Sequence, residues 1–420
     1  MRSRLLLVAL LPGLAGAAAP EEFEATTLHD VRSGETDDGF GWSLATGEID
    51  GDGFADFAVG APGDGKAGQD AGAVYVYSGR KLELLHVLRP AEAGERFGEV
   101  IAFSDVDRDG QGDVIVGAPA HAGGKGALYA CIKLSKDKPP KPQRLLEGER
   151  VGDRLGASVS AAPARPGLDL EGVLVGAPGS DAPGRDDAGR ATVLRFKGDR
   201  LKPEVVFEWT GATLGAALGS FVDWTGDQDE DGTWDLLVGE PGAGAGKKGA
   251  GILRVLDGAD GSQLQSFTGA ADGDRFGAWA SHVRLHGEGV QYHEVVVGAP
   301  GGAYVKVFGA RDGEERRRLQ GRPGEPGYGT FISRSARLGG EYLYAFAVAS
   351  VGAGPRAPQD FRGLRLYSGE NFAMLLQLPF ENVRALLAID GLDAEIGDEF
   401  LVAESRADGD VVHVVRVRPK

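Results

Sequence analysis

FGWSLATGEIDGDGFADFAVGAP, residues 40–62, packs three signals into one short stretch. Phe40-Gly41 opens it, and an apolar run closes on Gly60-Ala61-Pro62. Between them lies a loop of alternating carboxylates and glycines, Glu48 to Asp56. The flanking runs are short, rich in β-branched and aromatic residues, and bounded by turn formers, so they read as strands rather than helix.

The same arrangement recurs along the chain. The closing triplet appears again at Gly117-Ala118-Pro119, Gly176-Ala177-Pro178, Gly239-Glu240-Pro241 and Gly298-Ala299-Pro300, with weaker echoes at Ala349-Ser350-Val351 and Ala403-Glu404-Ser405. Some twenty residues before the triplets stand Phe97-Gly98, Leu155-Gly156, Leu218-Gly219, Phe276-Gly277 and Tyr328-Gly329. The spacing between triplets is about 51 to 63 residues, and each interval has room for four short strands separated by Gly, Pro and Asp turns. In the first unit they are expected near 40–48, 54–61, 72–78 and 82–89. Seven such units predict an all-β, seven-bladed β-propeller, in which radial repetition protects most sheet edges. Length alone would suggest two or three domains, but the repeat makes residues 18–420 one domain. The seventh unit has runs near 383–390, 399–405 and 410–417, and then the sequence ends. Residues 22–31 precede the first unit and are expected to supply the missing strand, closing the ring.

Three units carry the pattern acidic-x-Asp-x-Asp-Gly-x-x-Asp: Glu48, Asp50, Asp52 and Asp56; Asp105, Asp107, Asp109 and Asp113; Asp227, Asp229, Asp231 and Asp235. Oxygens at positions 1, 3, 5 and 9, with glycine at 6 for the sharp turn, suit a hard cation that takes six to eight oxygen ligands. The carbonyls at position 7, of Phe54, Gln111 and Thr233, are expected to add one each. Aspartate and glycine also make ordinary turns. Yet at about 5 Å and an effective dielectric near 20, each like-charged pair costs roughly 3 kcal/mol before screening, which a turn alone does not offset. Three calcium sites are therefore expected, with magnesium disfavoured by its octahedral demand. An EF-hand is excluded, because position 12 is Val59, Val116 or Val238 and a strand follows.

These residues resemble the FG-GAP repeat family, and the chain is similar to the N-terminal seven-bladed propeller of integrin α subunits. The resemblance implies calcium loops on the lower face of the ring, between the first two strands of a blade. It also implies that ligands are met on the opposite face. Unit three departs from the pattern, with Ala164, Pro166, Leu168 and Gly172 at the ligand positions. Units six and seven are degenerate, although Asp390, Asp393 and Glu395 leave an acidic turn. Unit five aligns His286, Glu288, Val290 and Glu294, with His282 and His293 nearby; on a strand or loop this spacing loses the meaning it has on a helix, and no transition-metal site is expected. The repeats fill the chain without any leg-like module.

Residues 1–17 read as a secretory signal: Arg2 and Arg4, an apolar stretch Leu5 to Leu14, and the small-residue site Ala15-Gly16-Ala17. The apolar run is shorter than the roughly 20 residues of a membrane span and is broken by Pro12 and Gly13. The chain is thus expected to be exported, to the extracellular space, the cell surface or a Gram-negative periplasm. The single Cys131 forms no intramolecular disulfide and is read as a small buried hydrophobe.

The formal net charge is −17, from 62 acidic and 45 basic residues, which argues against nucleic acid or anionic membrane as partner. No nucleophile elbow, phosphate loop or zinc-protease motif is present; Gly246-Lys247-Lys248 lacks the Ser/Thr that a phosphate loop needs. The Pro-rich patch at 138–142 is read as an exposed tip between two strands. The function expected is a non-catalytic, monomeric scaffold that binds an extracellular protein or glycan. The alternative is a secreted hydrolase or lyase working in the central cleft. The two differ in whether carboxylates or histidines converge on the channel.

Overall fold

A computed structural model of the chain describes residues 4–5, 23–134, 140–162, 172–197, 201–244, 246–283, 294–309, 311–323, 325, 327–338, 344–350, 363–380, 382–389, 399–406 and 408–419. The strands form seven antiparallel sheets, one per repeat, arranged as the blades of a β-propeller. Blade 1 runs outward through Leu44–Gly47, Asp56–Ala61, Ala73–Ser78 and Glu83–Leu88, close to the runs read from sequence. The innermost strands of blades 2 to 7 are Val100–Ser104, Ser158–Ala161, Phe221–Trp224, Trp279–Val283, Tyr328–Ile332 and Val383–Ile389. Among the described residues, no helix is long and apolar enough to cross a membrane.

The second strand of a blade lies between two neighbouring sheets. Asp56–Ala61, Asp113–Ala118, Gly172–Ala177 and Glu399–Glu404 are buried along their whole length, which is why they read as continuous apolar runs rather than alternating ones. The core is accordingly a set of layers between blades. Ala58, Val74 and Val76 of blade 1 pack on Val114, Val116, Tyr129 and Cys131 of blade 2. Burial pushes the Cys131 thiol well above its ordinary range, fixing it as an unreactive packing group.

The Phe-Gly and Gly-Ala-Pro elements meet across blades, a contact that the repeat does not announce. A methyl group placed on Gly117, in blade 2, would lie 2.1 Å from the carbonyl oxygen of Gly156, which opens blade 3. The same geometry joins Gly60 to Gly98, Gly176 to Gly219, Gly239 to Gly277 and Gly298 to Gly329, at 2.0–2.1 Å. The aromatic or leucine beside each facing glycine fills the layer: Phe40, Phe97, Phe276 and Tyr328 are wholly buried. Blade 7 begins without a Phe-Gly pair, and the blade before it carries Ala349 in place of the glycine.

The ring closes as expected. Phe23–Val31 pairs antiparallel with Val411–Pro419, from Phe23 opposite Pro419 to Val31 opposite Val412. Phe23 and Ala25 bury their side chains in the layer formed by blades 6 and 7. Arg4–Leu5 adds a short outer pairing to Thr26 and Ala25. Deleting residues 22–31 is expected to expose Val411–Pro419, with its five valines, as a free edge and to drive association. Size-exclusion chromatography reads this, and a monodisperse deletion with an unchanged melting curve would contradict it.

Candidate metal loops and central channel

Each acidic loop joins the innermost strand of its blade to the second strand, so the two strands fix the loop's ends. The position-9 carboxylate then ties the loop to itself. Asp56 Oδ2 accepts the amides of Ile49 and Asp50 at 2.9 and 3.1 Å; Asp113 accepts Val106 at 2.9 Å, and Asp235 accepts Gln228 at 2.7 Å. Asp56 and Asp235 also accept Gly79 and Gly258, which follow the third strand of their blades. The position-1 side chain folds over the turn, with the amides of Gly53, Gly110 and Gly232 donating to Glu48, Asp105 and Asp227. Those glycines have φ of +81°, +87° and +93°, the left-handed conformation that position 6 demanded. Phe54, Gln111 and Thr233 donate their amides to the position-5 carboxylates Asp52, Asp109 and Asp231.

The loops gather their carboxylates. Glu48, Asp50 and Asp56 each offer an oxygen within 4.8 Å of the others, as do Asp105, Asp107 and Asp113, and Asp227, Asp229 and Asp235. Asp52 and Asp109 lie outside these tightest sets. Asp231 instead converges with Asp229 and Asp257, a residue that sequence reading missed. Asp257 follows the third strand of blade 4, where Ser78 stands in blade 1, and as Asp-Gly it reads as an ordinary turn. Only alignment of the third strands across blades would have marked it.

The electrostatics are such that a cation would offset them. Among the described residues, no side-chain cation hydrogen-bonds to the carboxylates of the three patterns; their partners are backbone amides. Asp50 Oδ2, Asp52 Oδ2 and Asp113 Oδ1 are buried with no hydrogen-bond partner. Burial, reinforced by Asp107, pushes the Asp113 carboxyl up to about 7. Burial also raises Asp235 to about 7 against its amide partners, with Asp229 and Asp257 adding to the rise. Asp56, Asp107 and Asp229 are raised too, first by burial. Oxygens turned inward without donors, at a cost in ionisation, fit a hard divalent cation.

Another convergent group does not fit one. Glu92, Glu95 and His121 approach one another, but Arg144 Nη1 stands 3.0 Å from His121 Nε2. A guanidinium there repels an incoming cation. The degenerate ligand positions 164, 166 and 168, residues 286–293, and Asp390, Asp393 and Glu395 lie outside the described residues, as do residues 1–3 and 6–17 of the signal segment.

The innermost strands surround a channel, a cavity of about 650 Å³ lined from all seven blades. Polar side chains converge there. Asp223 Oδ1 accepts Ser160 Oγ at 2.7 Å, Arg334 Nη2 at 2.8 Å and its neighbour's amide, while His282 Nδ1 stands 3.7 Å from Oδ2. Arg334 leads the interactions that hold the Asp223 carboxyl far below its usual range despite burial. His282 thus sits buried behind the channel wall, beside Asp223. Ser160 donates to the carboxylate rather than to His282, so serine and imidazole are not paired as nucleophile and base.

A second cleft, of about 810 Å³, opens between blades 3, 4 and 5 and includes Arg154, Pro178, Pro241, Lys248 and Arg275. Its loops join second to third strands, or one blade to the next. Strand alternation therefore places it on the face opposite the acidic loops. Three of the exposed large apolar residues share that face: Trp42, Val151 and Leu214. Arg96 and Arg384 hold their guanidinium carbons 5.3 and 5.9 Å from the centre of the Trp42 indole.

Known proteins match this architecture. A family model described as FG-GAP repeat matches residues 40–77 and 97–131, which span most of blades 1 and 2. Integrin alpha-IIb from Homo sapiens is 31% identical over 232 residues, covering 51% of this chain and 21% of that protein. Integrin alpha-8 from Mus musculus is 27% identical over 228 residues, with the same coverage of 51% and 21%. The chain spans about a fifth of the length of these relatives. Among solved structures, virginiamycin B lyase from Staphylococcus aureus superposes with a TM-score of 0.57 at 9% identity, covering 94% of this chain and 99% of that one. Identity that low makes it a likeness of fold alone.

Proposed function

We propose that this chain, which carries FG-GAP repeats on an integrin α-like propeller, is an exported, calcium-stabilised scaffold that binds an extracellular protein or glycan on the face opposite its acidic loops. The observation that carries the reading is the separation of the two faces. Acidic loops with donor-free carboxylates occupy one; the other presents a cleft and the exposed Trp42, Val151 and Leu214. Exposed apolar side chains beside a cleft with polar and cationic walls are the makings of a recognition surface.

Calcium is the cation proposed for loops 48–56, 105–113 and 227–235, with the carbonyls of Phe54, Gln111 and Thr233 completing each set. Its role is to neutralise the loops and so brace the inner strands. Export rests on the signal-like residues 1–17. Cleavage after Ala17 removes the Arg4–Leu5 pairing and leaves Phe23–Val31 as the outer strand of blade 7. The hydrolase or lyase reading is weaker, because Ser160, the channel serine beside Asp223, is spent on that carboxylate.

Affinity capture from the native extracellular milieu tests the binding surface. The double variant Val151→Asp with Leu214→Asp is expected to lose at least ten-fold in captured partner while melting as the parent does, since both side chains are exposed. Equal capture by parent and variant would place the binding surface elsewhere.

A further inference from the structure

The channel wall spends nearly all of its polarity on itself. Six serines line it, and each donates to the protein: Ser43 to Gly98, Ser158 to Gly219, Ser160 to Asp223, Ser220 to Ala217, Ser281 to His282 and Ser333 to Arg334. What remains facing the cavity is largely apolar, including Leu44, Ile101, Val159, Trp279, Ile332 and Leu386. A polar wall with its hydroxyls turned away behaves as an apolar one.

Arg334 has donors to spare. Arg334, just beyond the inner strand of blade 6, reaches past blade 5 to Asp223 on blade 4, at the channel end that leads into the acidic loops. That single bond through Nη2 is its only hydrogen bond among the described residues, and 44% of the side chain remains exposed. Nε and Nη1 have no partner among the described residues. Asp223 Oδ1 already accepts three donors, and its Oδ2 faces His282 Nδ1 at 3.7 Å. The ion pair thus orients the guanidinium and leaves its other donors to an incoming acceptor.

We propose that the central channel is a small-molecule site for an amphipathic carboxylate, with the carboxylate on the free edge of Arg334 and the hydrocarbon along the channel wall. The volume lies within the range of about 300–1,000 Å³ typical of ligand pockets, and an apolar cavity with one placed polar group is their usual design. A guanidinium edge matches a carboxylate with two parallel hydrogen bonds, and it does so more strongly where water is scarce. This site is independent of the opposite-face surface proposed above and of the metal loops.

Isothermal titration of octanoate into the full chain, with calcium present, tests it. One saturable site is expected, with 1-octanol at least ten-fold weaker because it cannot accept the bidentate pair. The variant Asp223→Asn with Arg334→Gln keeps the tie neutral and is expected to weaken octanoate at least ten-fold at an unchanged melting temperature. Arg334→Lys preserves the ion pair but not the planar edge, and is expected to weaken octanoate several-fold; it decides the matter if the double variant fails to fold. Absence of a saturable site overturns the proposal. So does equal binding of octanol, or unaltered octanoate affinity in a folded Arg334 variant.

Discussion

Chelation of divalent cations is expected to lower the free energy of unfolding by about 4 kcal/mol. Extracellular sites of this kind typically have dissociation constants of about 0.1–1 mM. At about 1 mM calcium, a 0.1 mM site contributes roughly 1.4 kcal/mol, and three give about 4. Against a typical total of about 5–15 kcal/mol that is a large share. Asp50→Asn, Asp107→Asn and Asp229→Asn remove a charge from one cluster each without changing its shape, so each is expected to abolish about a third of the calcium-dependent increment. Denaturant melts with and without chelator measure both effects; superimposable curves would remove the metal assignment.

The pH dependence has a definite sign. In the metal-free fold Asp113 and Asp235 titrate near 7, against an ordinary value of 3.8. The folded state then holds protons that the unfolded chain releases, so the contribution of these two groups to metal-free stability is fullest below about pH 4 and is lost as pH rises through about 7. Calcium competes with those protons. The chelator effect is therefore expected to be largest above about pH 7 and to shrink toward pH 5. Melting curves in chelator across this range test the sign, and a rise in metal-free stability between pH 5 and 7 would contradict it.

Gly117→Ala is expected to destabilise the protein by about 3 kcal/mol or more, at the upper end of overpacking costs. The added methyl meets the Gly156 carbonyl at 2.1 Å, and that oxygen is backbone, unable to swing aside as a side chain would. Gly117 is itself paired in the blade 2 sheet opposite Val100 and Leu128, so neither side can yield without breaking pairing. The protein supplies its own comparison. At the seam between blades 7 and 1, Ala403 stands where the glycine would be and faces Gly41; a methyl on Gly41 would lie 2.7 Å from the Ala403 Cβ. One small residue with a side chain is accommodated there, but not two. A urea midpoint unchanged by Gly117→Ala would mean that the blades slide more freely than this packing allows.

Much of the molecule was legible from local sequence. Strand composition, turn residues and the repeat determined seven four-stranded units, and the missing strand of the last unit identified residues 22–31 as its partner. The acidic loops were also legible: carboxylate spacing, position 6 and the strand on either side are properties of nine consecutive residues, which fold against themselves.

Only the tertiary structure decided what depends on neighbouring blades. The Phe-Gly and Gly-Ala-Pro elements of one unit do not explain each other; each glycine is there because the next blade's backbone passes 2.0–2.1 Å from where a Cβ would sit. Asp257 joins a loop cluster because a third strand ends beside it. Ser160, Asp223, His282 and Arg334 come from four different blades, and Arg334 is 111 residues from the carboxylate it holds. No period or motif links them. Closure of the ring brings the innermost strands around one axis, and that places the Arg334 guanidinium in the wall of a largely apolar channel.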